Sequence, residues 1–339
     1  MSAVAERRLA SLRAFLMQGD AELRTQLPEY FLTYYNYLRI LRNPPRIEHL
    51  FQKAREMHRY LEADGRDVLD LGAGFGVEAI LVAIYGARRV LATEIDHDMV
   101  RVGQYLAERL DPPLTHFESR YGDGIAMELP AGSFDGIMTN CVISHVRDLE
   151  GFLAETHRLL RPGGVFFLSD ENNSLFLPAR ARRRRGWRQM EAEPDGPYFA
   201  ARRAMIAEQF AALHQNQLLE ATRVTRGLHG GEILEAVREF LETGRTSRKS
   251  AFPYRDPRDG QYPERELNPF WLMDRFREAG LAPEILPAFF SRGIEVHPRQ
   301  WIKDCLRLVC ERWPVFSVYL WPIMRLRGRK PLTPAPAGS

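Results

Sequence analysis

The stretch "DVLDLGAGFG", Asp67 to Gly76, decides how the chain is read. A short apolar run leads straight into glycines at every second position, Gly72, Gly74 and Gly76, where bare backbone can press against a ligand. In an open α/β sheet, ligands sit outside the carboxyl ends of the strands, and the first strand-to-helix turn is the usual cradle. The glycines are spaced GxGxG, not the GxGxxG of dinucleotide-binding turns, and Asp70 stands ahead of them. A carboxylate there opposes a diphosphate and suits a ligand carrying an ammonium group.

Outward from this turn the chain keeps an α/β rhythm. The runs "DVLDL", "RRVLATEI", "FDGIMTN" and "GVFFLSD" are short and apolar, and helical stretches such as "HDMVRVGQYLAERL" and "DLEGFLAETHRLL" separate them. This alternation predicts a Rossmann-like, mostly parallel seven-stranded sheet with helices on both faces. Residues 5 to 62 read as helical, with an aromatic-rich segment "YFLTYYNYLRIL" and a break at Pro44 and Pro45. Between Asn173 and about Pro269 the rhythm stops, giving way to an arginine cluster and helix-like runs. It resumes with "FWLMDRFREAG", "LAPEILPAF" and a last strand near "IMRLRGRK". The expected organisation is an N-terminal helical cover (1–62), a cofactor-binding core (63–174) and a mainly helical lid insertion after the fifth strand (175–269). Final helices and strands (270–329) then complete the sheet, and a disordered tail (330–339) follows.

Bulk properties narrow the classes. With 339 residues, 45% of them apolar, the chain can bury a full core. A formal charge of +3 is too small to mark a nucleic-acid binder by itself. Cys141, Cys305 and Cys310 form neither a CxxC pair nor a disulfide framework, and the N-terminal segment lacks a signal-peptide core, so a cytoplasmic setting is expected. The longest apolar run, "WPVFSVYLWPIM", is short for a membrane span and holds two prolines.

A ligand with an ammonium, a sulfonium and no phosphate fits the turn, and S-adenosylmethionine is such a ligand. Several ordered motifs resemble those of class I S-adenosylmethionine-dependent methyltransferases, of the bacterial small-molecule or glycan type, over residues 66 to 174 and the final two strands. "VLDLGAGFG" resembles the family's first motif, which puts Asp70, Gly72, Ala73, Gly74 and Gly76 against the cofactor. In "VLATEID", Glu94 matches the acid that holds both ribose hydroxyls, with Ile95 beside it. "YGDGIAMELPAGSFD" resembles the segment contacting the adenine edge through Asp123 and Gly124. "FDGIMTNCVISHV" resembles the fourth strand and the loop bordering the transferred methyl, which adds Asn140 to the pocket. The resemblance implies S-adenosyl-L-methionine as cofactor.

Each motif residue has a plainer reading. Asp70 could cap strand-end amides, Asp96 lies on the same strand face as Glu94, and Asp123 could be a turn residue. "RNPPR" resembles the NPPY signature of amino-group methyltransferases but lacks its aromatic, and reads as a helix break. Cys141 has no preceding proline and reads as packing. "SDENNS" lacks the third acid of metal-dependent relatives, the matching place holding Thr139 and Asn140, so no metal is expected.

His145, just beyond the fourth strand, is the natural general base, with Asp170 and Glu171 as acceptor-side acids and His229 a weaker candidate. The arginines Arg180, Arg182, Arg183, Arg184, Arg185 and Arg188 could be a solvated charge run or a grip on anionic material. With Trp187, Trp301, Trp313 and Trp321 they could also hold an anionic membrane surface. The expected reaction is O-methylation of a small metabolite, sugar or lipid-linked intermediate, with residues 10–45 and 175–265 closing the site. Nucleic acid is not the expected partner. The rivals are an RNA methyltransferase using the arginine cluster and an inactive cofactor-binding protein.

Overall fold

The computed structural model describes residues 2–18, 25, 44–248, 252–288 and 300–332. Among them runs a seven-stranded sheet in the order β3-β2-β1-β4-β5-β7-β6. Its strands are β1 (Asp67–Leu71), β2 (Arg89–Glu94), β3 (Phe117–Tyr121), β4 (Phe134–Asn140), β5 (Leu160–Asp170), β6 (Ala282–Ile285) and β7 (Met324–Arg329). The first five are parallel, and β7 runs antiparallel between β5 and β6. The mostly parallel α/β sheet expected from the sequence is therefore present. The strand order reverses between β1 and β4, so the crevice that such sheets open for a ligand lies at the carboxyl ends of these two strands.

Burial explains which strands could be read. All five residues of β1 are buried, as a strand covered on both faces requires. The edge strand β3, "FESRY", buries Phe117 alone, and no apolar run betrays it.

Among the described residues two helices precede the sheet, α1 (Ala3–Gln18) and α2 (Pro44–Tyr60). Pro44 and Pro45 open α2, where a missing N–H costs nothing. The aromatic segment at 30–41 and the tail beyond 332 lie outside the described residues. Helix α2 buries Ile47, Leu50, Phe51, Ala54 and Met57 in one core with α3 (Val77–Ile84), α4 (His97–Glu108) and one face of the sheet. On the other face, Phe152 of α5 (Leu149–Leu159), Phe166 of β5 and Phe276 of α10 (Pro269–Glu278) pack in sequence with tilted rings, their centroids 6.4 and 5.2 Å apart. Helices α11 (Gln300–Arg312) and α12 (Ser317–Leu320) precede β7.

The chain divides into two compact units. The first holds Met1–Ile143, Asp148–Glu171 and Pro269–Ser339; the second holds Ser144–Arg147 and Asn172–Asn268. The second unit comprises α6 (Leu177–Met190), α7 (Pro197–Gln209), α8 (Gln215–Val224) and α9 (Gly231–Thr243). Its core is Ile206, Ala221, Leu228, Ile233, Ala236 and Val237. Arg202 is fully buried beside this core, paired with Glu191 and donating from Nε to the Thr222 carbonyl at 3.0 Å.

Candidate functional site

The turn after β1 spends its own amides. The N–H groups of Gly72 and Ala73 both donate to the Thr93 carbonyl of β2 at 2.9 Å, and Gly76 donates to the Ala73 carbonyl at 2.9 Å. Gly74 donates to Glu94 Oε2 at 2.9 Å. A phosphate cradle needs such donors turned toward the ligand. These four are already engaged, which is an independent reason against a diphosphate.

The three glycines serve three different needs. A Cβ on Gly72 would stand 2.5 Å from Val142 Cγ2, so this glycine lets the loop after β4 close on the turn. At Gly76 a Cβ would meet the Phe117 ring at 3.2 Å. At Gly74, with φ +55°, it would meet nothing within 4 Å. Gly74 is the position where backbone lies open to a ligand.

Asp70 is only 3% exposed at the penultimate position of β1. Burial pushes its carboxyl well above the usual carboxylate range, Glu78 and Glu94 push the same way, and Lys53 opposes them. This qualifies the charge argument drawn from the sequence. Burial thus disfavours the charged form of Asp70, and a neighbouring cation favours it. A ligand presenting an ammonium and no phosphate thus fits the residues present.

The remaining predicted cofactor residues line the carboxyl ends of the strands. Glu94, ending β2, accepts from the amide of Ile95 at 2.8 Å as well as from Gly74. Its competitor Asp96 caps α4, accepting from Asp98 and Met99 amides at 2.8 and 3.1 Å. Ile95 is 63% exposed beyond Glu94. Asp123 accepts from the Ile125 amide at 3.0 Å and so shapes a turn, and Gly124, with φ +75°, allows the loop to lie against Phe152. Asn140, ending β4, donates from Nδ2 to Glu78 Oε1 at 3.4 Å.

On the acceptor side, Asp170 ends β5 fully buried and Glu171 is exposed beside it. Cys141 follows β4 with φ 56°, and burial pushes its thiol up to about 12, which disfavours the thiolate a nucleophile needs. His145 falls in the second unit, so the structure groups it with residues 172–268 and not with the strand ends. In that unit His229 Nδ1 lies 2.9 Å from Glu232 Oε2. The arginine cluster is split. Arg180 and Arg184 both grip Glu266, and Arg183 donates to the Asn173 carbonyl at 2.9 Å. Arg182, Arg185 and Arg188 are exposed. Among the described residues no group of three or more His, Cys, Asp or Glu side chains could hold a metal ion, the three cysteines are free, and no helix is long and apolar enough to cross a membrane.

Two residues escaped the sequence reading. Glu78, in the first turn of α3, faces both Asn140 and Lys53, the latter at 3.6 Å. Its signal was an acid two places after the last glycine. Lys53 belongs to a half-buried polar stripe, His49, Lys53 and Glu56, beside the apolar face of α2. That stripe is visible only once the helix is known to lie over the sheet.

Residues 69–168 match a family model described as a methyltransferase domain. The chain is 38% identical over 116 residues to a probable S-adenosylmethionine-dependent methyltransferase of Mycolicibacterium smegmatis, covering 34% of this chain and 42% of that one. It is 39% identical over 114 residues to an arsenite methyltransferase of Aquipseudomonas alcaligenes, covering 32% of this chain and 33% of the relative. A sterol 24-C-methyltransferase of Aspergillus fumigatus is 33% identical over 162 residues, covering 45% of this chain and 41% of the relative. The matches therefore span less than half of each relative's length. A solved structure of an S-adenosylmethionine-dependent methyltransferase from Mesorhizobium loti aligns over 81% of this chain and 96% of its own, at 15% identity and a TM-score of 0.43. The family-model match falls on the strands and turns described above, so residues 69–168 form a methyltransferase domain, similar in sequence to those of S-adenosylmethionine-dependent methyltransferases.

Proposed function

We propose that the whole protein is an enzyme that transfers a methyl group from S-adenosylmethionine to an oxygen of a small metabolite, sugar or lipid-linked acceptor. The observation that carries the reading is the turn after β1, with its amides spent internally, a buried acid behind it and an open glycine in front. The bound donor would supply a methyl group on a sulfonium, whose sulfur leaves as a neutral thioether when the acceptor takes the methyl. Asp70 would hold the donor's ammonium, Glu94 its ribose hydroxyls and Asp123 with Gly124 its adenine edge, while Gly72, Ala73, Gly74, Gly76, Ile95 and Asn140 complete the pocket. The protein's remaining work is alignment of the acceptor in a site closed to water.

Asp170 and Glu171, at the end of β5, would take a proton from a hydroxyl acceptor, and His145 is the imidazole candidate for the same step. A carboxylate acceptor would need no base. The acceptors in the relatives' names, arsenite and a sterol, are chemically far apart, so relatives do not choose the acceptor for this chain. Calorimetric titration of the full chain with S-adenosylmethionine and, separately, with NAD tests the reading. Binding of the first alone supports it, and binding of the dinucleotide alone overturns it.

For partners we infer contact with an anionic membrane surface from the cytoplasmic side. The exposed Arg182, Arg185 and Arg188 support it, as do Trp301 and Trp313, which are 66% and 53% exposed. Sedimentation with anionic vesicles should fall as salt is raised. Steeply salt-dependent binding to RNA in place of vesicles would favour the polymer reading.

A further inference from the structure

S-adenosylmethionine ends in an amino acid, so a site that takes it must answer two opposite charges placed one carbon apart. Asp70 can answer the ammonium. Nothing in the matched segment 69–168 has been assigned to the carboxylate, and the turn's amides do not offer themselves because Thr93, Ala73 and Glu94 already hold them.

We propose that Lys53, on the helix α2 outside the matched segment, binds the donor's carboxylate, and that its pairing with Glu78 is a resting contact which the donor displaces. The inference rests on the methyl-donor reading given above. Three observations support it. First, Lys53 Nζ and Glu78 Oε1 are 3.6 Å apart, longer than the roughly 2.7–2.9 Å of a tight charged hydrogen bond, so the pair is loose enough to be exchanged. Both side chains are 18% exposed, sheltered yet reachable. Second, Lys53 stands at the crevice, because the Glu78 carboxylate it pairs with also accepts from Asn140 Nδ2, at the end of β4, at 3.4 Å. The Lys53 charge acts on Asp70 at the end of β1 and on Cys141 after β4, the two strands between which the sheet order reverses. Third, its position is fixed. Leu50, Phe51, Ala54 and Met57 lock α2 into the core, and one turn further Glu56 is tied to the buried Arg325 at 2.6 Å.

A carboxylate beside Lys53 and an ammonium beside Asp70 would each find an opposite charge without any group leaving the protein. Glu78 would then be released to Asn140, its other partner.

The test is calorimetric titration of the full chain with S-adenosylmethionine and with its decarboxylated form, which keeps the ammonium, the sulfonium and the nucleoside. The unaltered protein should prefer the carboxylated donor by at least about tenfold, a difference of about 1.4 kcal/mol. Lys53→Met should erase that preference while changing affinity for the decarboxylated form less than about twofold, and Lys53→Arg should keep part of it. Glu78→Gln removes the competing carboxylate and should preserve or enlarge the preference.

A bridge that merely holds the fold would respond alike to loss of either partner. An equal fall in preference in Lys53→Met and Glu78→Gln, or no fall in Lys53→Met, overturns the inference while leaving the donor reading intact. Failure of the unaltered protein to bind either form sinks both together.

Discussion

At the scale of single residues, Asp70 couples stability to ligand binding. The folded chain holds this proton at a pH where the unfolded chain, with an ordinary value of 3.8, has lost it. Stability therefore declines as pH rises from that ordinary value through the raised one. Asp70→Asn removes the cost, so the variant should melt higher than the unaltered protein, by a margin that widens as pH rises over this range in calorimetric scans. The same variant should lose at least about tenfold in affinity for S-adenosylmethionine, because an amide offers an ammonium no counter-charge. Glu94→Ala should weaken the same binding by a similar factor, and it also frees the Gly74 amide that the carboxylate now holds. For His145, the expectation is that His145→Ala slows turnover by at least about tenfold with donor affinity unchanged. A rate that does not move would leave Asp170 and Glu171 as the proton acceptors. The positions of Asp70, Glu94 and the glycines at the ends of β1 and β2 were legible because apolar strands run into them. Lys53 was not, since a lysine on an amphipathic helix is indistinguishable from a solvated one until its neighbours are known.

At the scale of elements, the glycine turn separates packing from approach. Gly72→Ala brings a methyl against Val142 at φ +73°, and a loss of about 1–3 kcal/mol in stability should appear in denaturant melts. Adding Val142→Ala should recover the steric part of that loss. Gly74→Ala meets no atom and should cost only about 1 kcal/mol for its left-handed backbone. Its effect should fall on donor affinity instead. Equal damage from the two substitutions would show that the open position has no ligand to admit. The strands at the middle of the sheet could be read because they are apolar on both faces, as β1, β2, β4 and β5 are. An edge strand obeys no such rule. In β3 one side chain of five is buried, and its sequence looks like a polar connection.

At the scale of the whole molecule, the helical second unit was visible mainly as an end of the α/β rhythm. Its arginines illustrate why composition misleads. Within one helix, Arg180, Arg183 and Arg184 have partners inside the unit, while Arg182, Arg185 and Arg188 face outward. Replacing the outward three by glutamine should leave stability within about 0.5 kcal/mol and reduce binding to anionic vesicles. Arg184→Gln should instead destabilise the unit by leaving Glu266, 12% exposed, with one partner fewer. The sheet itself carries a different kind of consequence. Strand β7 is the last of the seven to be made, yet it lies between β5 and β6 and hydrogen-bonds to both. During synthesis, β6 emerges from the ribosome with nothing to pair with and β5 waits with a bare flank. Closure of the sheet is thus deferred until residues 324–329 are released, and until then the nascent chain offers a chaperone or a protease its most vulnerable edge.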